Sequence, residues 1–183
     1  MKLNIGGGYK KFDGFLNVDY DNHCKPDIVC DIEKEKLPIE DNTVTNVIAH
    51  HIFEHLGEGY FHFLKELYRV CQDGAIIDIV VPHHRHDNFM NDPTHKRPIT
   101  IEGLRMFSKK YNNYCISVED GCSKLGLFFD IDFEIENFDY YFSNEYVTLL
   151  NNPTEENQAK IREAIVSLNN VICETHIILS VIK

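Results

Sequence analysis

The chain has 183 residues, a formal net charge of −11, 43% hydrophobic residues and 26% charged residues. That length and composition predict one globular domain spanning residues 1–183, with an ordinary core. No apolar run approaches the ~18 residues of a membrane span. The acidic surface argues against general binding to a phosphate backbone, so neither nucleic acid nor membrane is an expected partner.

Met1-Lys2-Leu3-Asn4-Ile5 runs directly into glycines, without the apolar stretch and cleavage site of a signal peptide. The six cysteines include no C-x-x-C pair. They read as reduced thiols of a cytoplasmic protein, with no metal site expected from them.

In chain order, Leu3-Asn4-Ile5 is a strand leading into Gly6-Gly7-Gly8, Phe15–Val18 a strand ending at Asp19, and Asp27–Cys30 a strand ending at Asp31. Val44–Ala49 is a fourth apolar run. Phe61, Leu64, Leu67, Tyr68 and Cys71 then fall at helical spacing, predicting an amphipathic helix over residues 59–71. Asp73-Gly74 is read as a break before the buried strand Ala75–Val81, which Pro82 stops. Residues 83–98 read as a long loop. Thr100 caps a short helix. Phe128–Phe138 alternates apolar and acidic residues as a half-buried strand would. A helix opens at Pro153-Thr154-Glu155-Glu156, and Val171–Val181 closes the chain as a strand. The expected fold is α/β: a Rossmann-like, mostly parallel sheet with an antiparallel edge strand and helices on both faces.

In such sheets ligands sit beyond the carboxyl ends of the strands. The residues expected there are Gly6, Gly7, Gly8, Asp19, Asp31, His50 and His51. Glycines after the first strand allow positive φ and close approach of a ligand to the backbone. A dinucleotide fingerprint would need another glycine where Lys11 stands, so a dinucleotide is disfavoured. A carboxylate at Asp19 suits the vicinal hydroxyls of a ribose. One at Asp31 suits an adenine amino group, with Ile32 against the base. Together they make one nucleoside-shaped set.

The segments Leu3–Gly8, Gly14–Asp19, Pro26–Asp31, Leu37–Val44, His51–Leu56 and Glu66–Val70, in that order, resemble class I S-adenosylmethionine-dependent methyltransferases. They are most similar to the small bacterial type-11-like predicted methyltransferases. The likeness continues through Gly74–Pro82 and Asp92-Pro93-Thr94-His95, and it covers residues 3–107. It implies S-adenosylmethionine as cofactor. Gly6 and Gly8 would lie in the loop along its methionine part, Asp19 at its ribose, and Asp31 and Ile32 at its adenine. His50 and His51 would stand where the pocket opens toward the acceptor. The chain departs from the family in having Gly7 at the middle of that loop and a shortened or missing first helix. The resemblance favours a small-molecule or sugar acceptor.

The loop after the strongest strand carries His83, His84, His86 and His95, with Arg85, Lys96 and Arg97. Histidine serves as a general base near neutral pH. One of these four is expected to deprotonate an acceptor hydroxyl, while a neighbouring cation binds a negative group. Two rival functions stand beside this one. His51-x-x-Glu54-His55 matches a zinc-peptidase pattern, giving a metal-dependent hydrolase. Against it, Gly57 and Gly59 would interrupt the helix that such ligation needs, and Glu54 and His55 are expected to satisfy loop backbone groups. The other rival is a non-catalytic module that keeps the fold and binds the cofactor.

Overall fold

The computed structural model describes residues 1–183. Seven strands form one sheet in the order β3-β2-β1-β4-β5-β7-β6. They are β1 (Lys2–Ile5), β2 (Leu16–Asp19), β3 (Ile28–Val29), β4 (Val44–His50), β5 (Cys71–Pro82), β6 (Phe133–Phe142) and β7 (Ile172–Val181). The five strands from β3 to β5 pair in parallel. β7 runs antiparallel to both of its neighbours, so antiparallel pairing is confined to one side of the sheet. The order reverses at β1–β4, the topological switch point at which such folds bind ligands.

Helices distribute unevenly over the two faces. α1 (Tyr60–Val70) buries Tyr60, Phe63, Leu64, Leu67 and Val70 against the face formed by Leu3, Ile5, Val47, Ala49, Ile77 and Ile79. The spacing of three and four residues is the expected helical stripe, rotated so that Phe61 faces solvent. Fully burying each of Phe63, Leu64 and Leu67 contributes about 1.5–3 kcal/mol over leaving it exposed. α3 (Ile101–Arg105) adds Ile101 and Leu104 to the same core, with the Thr100 hydroxyl accepting from Gly103 N at 3.0 Å.

On the opposite face, the segment 6–15 lies across β1 and β2 where the expected first helix is missing. Farther along that face, Ile48, Ile76 and Ile178 remain half exposed. The segment is held from below. Asn4 Nδ2 donates to Lys10 O (2.8 Å) and to Asn17 Oδ1 (2.7 Å), and Asn17 Nδ2 donates to Gly8 O (3.2 Å).

Three expected boundaries change. α1 passes straight into β5 at Cys71, with Asp73-Gly74 inside the strand; Gly74 takes up φ +72 while the register with β4 shifts. Phe128 and Phe129 of the predicted strand 128–138 belong to α5 (Leu125–Phe129), residues 130–132 turn the chain, and β6 begins only at Phe133. α5 is fixed by Gly126 N donating to Met106 O and by Asp130 at φ +55 ending the turn. A single turn, α2 (Asp87–Met90), interrupts the loop 83–98, and α4 (Lys109–Ser117) and α6 (Asn144–Leu150) were not expected. α7 (Glu155–Ser167) opens where predicted, with Thr154 as its cap. All six cysteines are free thiols.

Candidate active site

The parallel register brings the ends of β1, β2, β4 and β5 to one edge of the sheet. Just beyond β1, Gly6 and Gly8 take φ +63 and +53. A Cβ on Gly6 would lie 2.6 Å from Ile52 Cδ1, so the loop after β4 packs on the glycine loop without room for a side chain. A Cβ on Gly7 would lie 2.0 Å from Asn4 Nδ2.

Asp19, buried at the end of β2, ties this loop to its strand. Its Oδ2 accepts from Gly8 N and its Oδ1 from Asp21 N, both at 2.9 Å. A carboxylate oxygen offers two lone-pair sites, so each oxygen keeps one for a further donor. Nothing lies within 4 Å of where a Cβ on Gly8 would project. A buried carboxylate with two free acceptor sites beside open backbone fits the vicinal hydroxyls of S-adenosylmethionine's ribose.

The other expected cofactor residues are engaged differently. Asp31 lies two residues past β3. Lys34 Nζ donates to its Oδ2 at 2.7 Å and Glu33 N to its Oδ1 at 3.1 Å. The Lys34 ammonium holds this carboxyl below its ordinary pKa. Ile32 is buried within the main core. His50 packs its ring edge-on against Phe12 and places Nε2 3.0 Å from Asp78 Oδ1. His176 of β7 reaches the same oxygen at 2.8 Å. Burial pushes the Asp78 carboxyl up, but the two histidines outweigh it and hold the group below its usual value. His51 takes φ +55, half exposed, with Nδ1 3.5 Å from Glu54 Oε1 and Nε2 3.4 Å from Glu174 Oε1. The Glu54 carboxylate beside it raises its imidazole above the ordinary value, against burial.

The four candidate catalytic histidines fall in three places. His83 and His84 lie with their rings tilted 39° to one another at 4.3 Å between centroids, and line a 220 Å³ cavity with Thr100, Glu102, Arg105 and Tyr140. Burial, with His84, Arg85 and His86 nearby, pushes the His83 imidazole down to about 4. Its Nδ1 accepts from Arg85 N at 3.3 Å, so the proton of the neutral ring sits on Nε2. Burial and Arg85 also lower His84. His86 Nδ1 accepts from Asn88 N and caps α2. His95 lies apart, its Nε2 4.0 Å from Glu54 Oε1. Of the neighbouring cations, Arg85 is held by Ile165 O and Val166 O, and Arg97 by Leu56 O and Gly57 O.

The stretch 51–55 does not form the single helical face that the zinc-peptidase pattern requires. Phe53–His55 is a 3₁₀ turn, and α1 starts only after Gly59. Nor does the Glu54 side chain satisfy loop backbone groups. It is fully buried without any hydrogen-bond partner, and its backbone oxygen takes the Lys96 and Arg97 amides instead. Glu54 and Glu174 are the residues beside the site that sequence reasoning set aside or missed. The H-x-x-E-H pattern was the only hint of the first.

Residues 13–79 match the family model described as a methyltransferase domain. No curated protein is recognisably similar in sequence. Among solved structures, the chain is similar to an S-adenosylmethionine-dependent methyltransferase from Archaeoglobus fulgidus. The identity there is 24% over 98% of this chain and 85% of that one, with a TM-score of 0.63. It is also similar to an S-adenosylmethionine-dependent methyltransferase from Mesorhizobium loti (11% identity, 98% and 89% covered, TM-score 0.53). A third likeness is to phosphoethanolamine N-methyltransferase 2 of Haemonchus contortus, solved in complex with S-adenosyl-L-methionine (12% identity, 100% and 48% covered, TM-score 0.53). Residues 13–79 thus match a methyltransferase domain, and the chain folds as these S-adenosylmethionine-dependent methyltransferases do.

Proposed function

We propose that residues 1–183 act as one domain that methylates a small-molecule or sugar acceptor, with Gly6–Gly8 and Asp19 holding the methyl donor. The observation that carries this reading is the pairing of Gly8 N with Asp19 Oδ2, between the ends of β1 and β2 and next to the switch point of the sheet. It sets a bare backbone and a buried carboxylate side by side, where one nucleoside meets both. S-adenosylmethionine, when bound, supplies a sulfonium-activated methyl group for in-line displacement.

The chain's own residues then have modest tasks. Asp19 orients the ribose through two charge-assisted hydrogen bonds. Gly6, packed on Ile52, lets the methionine part run close along the backbone. Asp31 reaches the adenine amino group only by sharing its oxygens with Lys34. His50 is pinned by Asp78, and His51 flanks the opening.

The 220 Å³ cavity at the end of β5 has the size and the polar lining, from His84, Thr100, Glu102 and Arg105, to take a compact hydroxylated acceptor. Of the four histidines, His84 is the one we assign to proton removal. It is exposed at the cavity, and its ring nitrogens are unclaimed by backbone, unlike those of His83 and His86. Positioning of the two reactants carries most of the rate, as bound near-attack geometry does generally.

The test is calorimetric titration with S-adenosylhomocysteine, followed by a screen of hydroxylated acceptors. Binding on the order of −8 kcal/mol, a micromolar Kd, is expected. No binding by the folded protein overturns the reading.

A further inference from the structure

The turn after β4 buries a carboxylate that lacks a hydrogen-bond partner. Glu54 is 0% exposed and neither of its oxygens has a hydrogen-bond partner. A buried carboxylate without a partner is among the costliest groups a fold can contain. The nearby basic side chains are turned elsewhere: Lys96 faces Glu33 at 3.4 Å, and Arg97 donates to Leu56 O and Gly57 O. What surrounds Glu54 is imidazole, with His51 Nδ1 3.5 Å from Oε1 on one side. His95 and His55 each bring a ring nitrogen into a group with a Glu54 oxygen, all three ligand atoms within 4.8 Å of one another.

The second nitrogen of each ring settles where the lone pairs point. His95 Nδ1 lies 2.8 Å from Phe89 O, which only accepts, so Nδ1 donates. Thr94 gives its hydroxyl proton to Asp92 Oδ1 at 2.6 Å. Its oxygen must therefore accept from His55 Nδ1, 2.9 Å away. In the neutral rings both Nε2 atoms carry a free lone pair, and that of His95 lies 3.8 Å from Asp92 Oδ2 and 4.0 Å from Glu54 Oε1. Acceptors facing one another in this way call for a cation between them. Imidazoles whose other N–H is held by a carbonyl or hydroxyl are also the usual form of histidine metal ligands.

We propose that Glu54, His55 and His95 bind one divalent transition-metal ion. Two imidazoles and a carboxylate suit zinc and its first-row neighbours. Ligands at the usual ~2.1 Å from a metal stand about 3.4 Å apart, so the 4.0 Å gap closes by a few tenths of an ångström on binding. Three protein ligands leave a coordination position open. The turn that carries Glu54 and His55 packs on the glycine loop through Ile52. The metal site does not rest on the methyl-transfer reading.

The experiment uses tag-free protein, stripped with a chelator and titrated with Zn²⁺ by calorimetry and with Co²⁺ by visible absorption. One equivalent of each is expected, with Co²⁺ bands of a nitrogen–oxygen site. Affinity falls about a hundredfold or more in Glu54→Gln and in His95→Gln, and is kept in Cys122→Ser, which alters the other Cys/Asp cluster. Circular dichroism of the metal-free variants checks folding. His55→Gln, at a less buried position, supplies the measurement if either of the others does not fold. No stoichiometric uptake by the wild type, or uptake unchanged by the glutamine variants, or uptake lost in Cys122→Ser, overturns the site. S-adenosylhomocysteine binding is read on the same samples, so failure of the metal site and failure of the methyltransferase reading remain separate results.

Discussion

Asn4 of β1 donates a 2.7 Å hydrogen bond to Asn17 of β2, and both side chains are buried beneath the glycine loop. The pair occupies the sheet face that a crossover helix would cover. Parallel strands are ordinarily joined by a dozen or more residues, most often a helix; here residues 6–15 make the connection. The two amides replace an apolar helix contact by hydrogen bonds to the backbone of Gly8 and Lys10. Removing one partner leaves buried groups on the other unsatisfied. Asn17→Ala should therefore cost about 1–3 kcal/mol of stability. Urea unfolding measures this. A loss below a few tenths of a kcal/mol would mean the pair does not hold the loop.

Gly7→Ala and Gly8→Ala should fail in different ways. At Gly7 the added Cβ meets Asn4 Nδ2 at 2.0 Å and Asn17 Oδ1 at 2.2 Å, so the buried pair must break. At Gly8 it meets nothing, but φ +53 costs about 1–2 kcal/mol for a residue with a side chain. Gly7→Ala is expected to lower the melting temperature more. Gly8→Ala is expected to weaken S-adenosylhomocysteine more than stability alone explains, because the Cβ enters the space beside Asp19. Equal effects on both readouts would refute the distinction.

Asp19→Ala removes two charge-assisted acceptors, each worth about 1.5–3 kcal/mol. Affinity for S-adenosylhomocysteine should drop at least a hundredfold. Asp31→Ala should lower it only about fivefold, one ordinary hydrogen bond, because Lys34 already competes for that carboxylate. Calorimetry on both variants decides. A larger loss at Asp31 than at Asp19 would move the nucleoside away from β2.

The ends of β1 and β2 were legible because an apolar run stopping at glycine or aspartate is local information. The same holds for α1, where Leu64 and Leu67 anchor a helical period. The place of β7 between β5 and β6 is not written in any one segment, since pairing follows from which strands close the core. The segment 128–138 has a strand's alternation throughout. Its first two residues nevertheless end α5, because Gly126 packs on the Phe107 carbonyl and Asn112 Oδ1 takes the Leu127 amide. α4 escaped notice because its buried residues are Asn112 and Cys115 rather than an apolar stripe. At the site, the glycines and Asp19 were readable by order along the chain. The approach of His95 to Glu54 was not, since forty-one positions separate them and only the fold brings them within 4.0 Å.

His83 gives the protein a pH dependence of defined sign. Burial among His84, Arg85 and His86 lowers its pKa to about 4 in the folded chain, against about 6.5 when unfolded. Between those values the unfolded chain holds the extra proton, so stability rises with pH there. The contribution is complete above pH 6.5 and is lost as pH falls toward 4. His83→Asn keeps an acceptor near the Arg85 amide but does not titrate. Urea midpoints at pH 7.5 and pH 4.5 should show a larger drop for the wild type than for His83→Asn. NMR titration should find the His83 ring neutral at pH 6. An equal drop in both proteins, or a ring titrating near 6.5, would mean that the mouth of the β5 cavity is wetter than this packing allows.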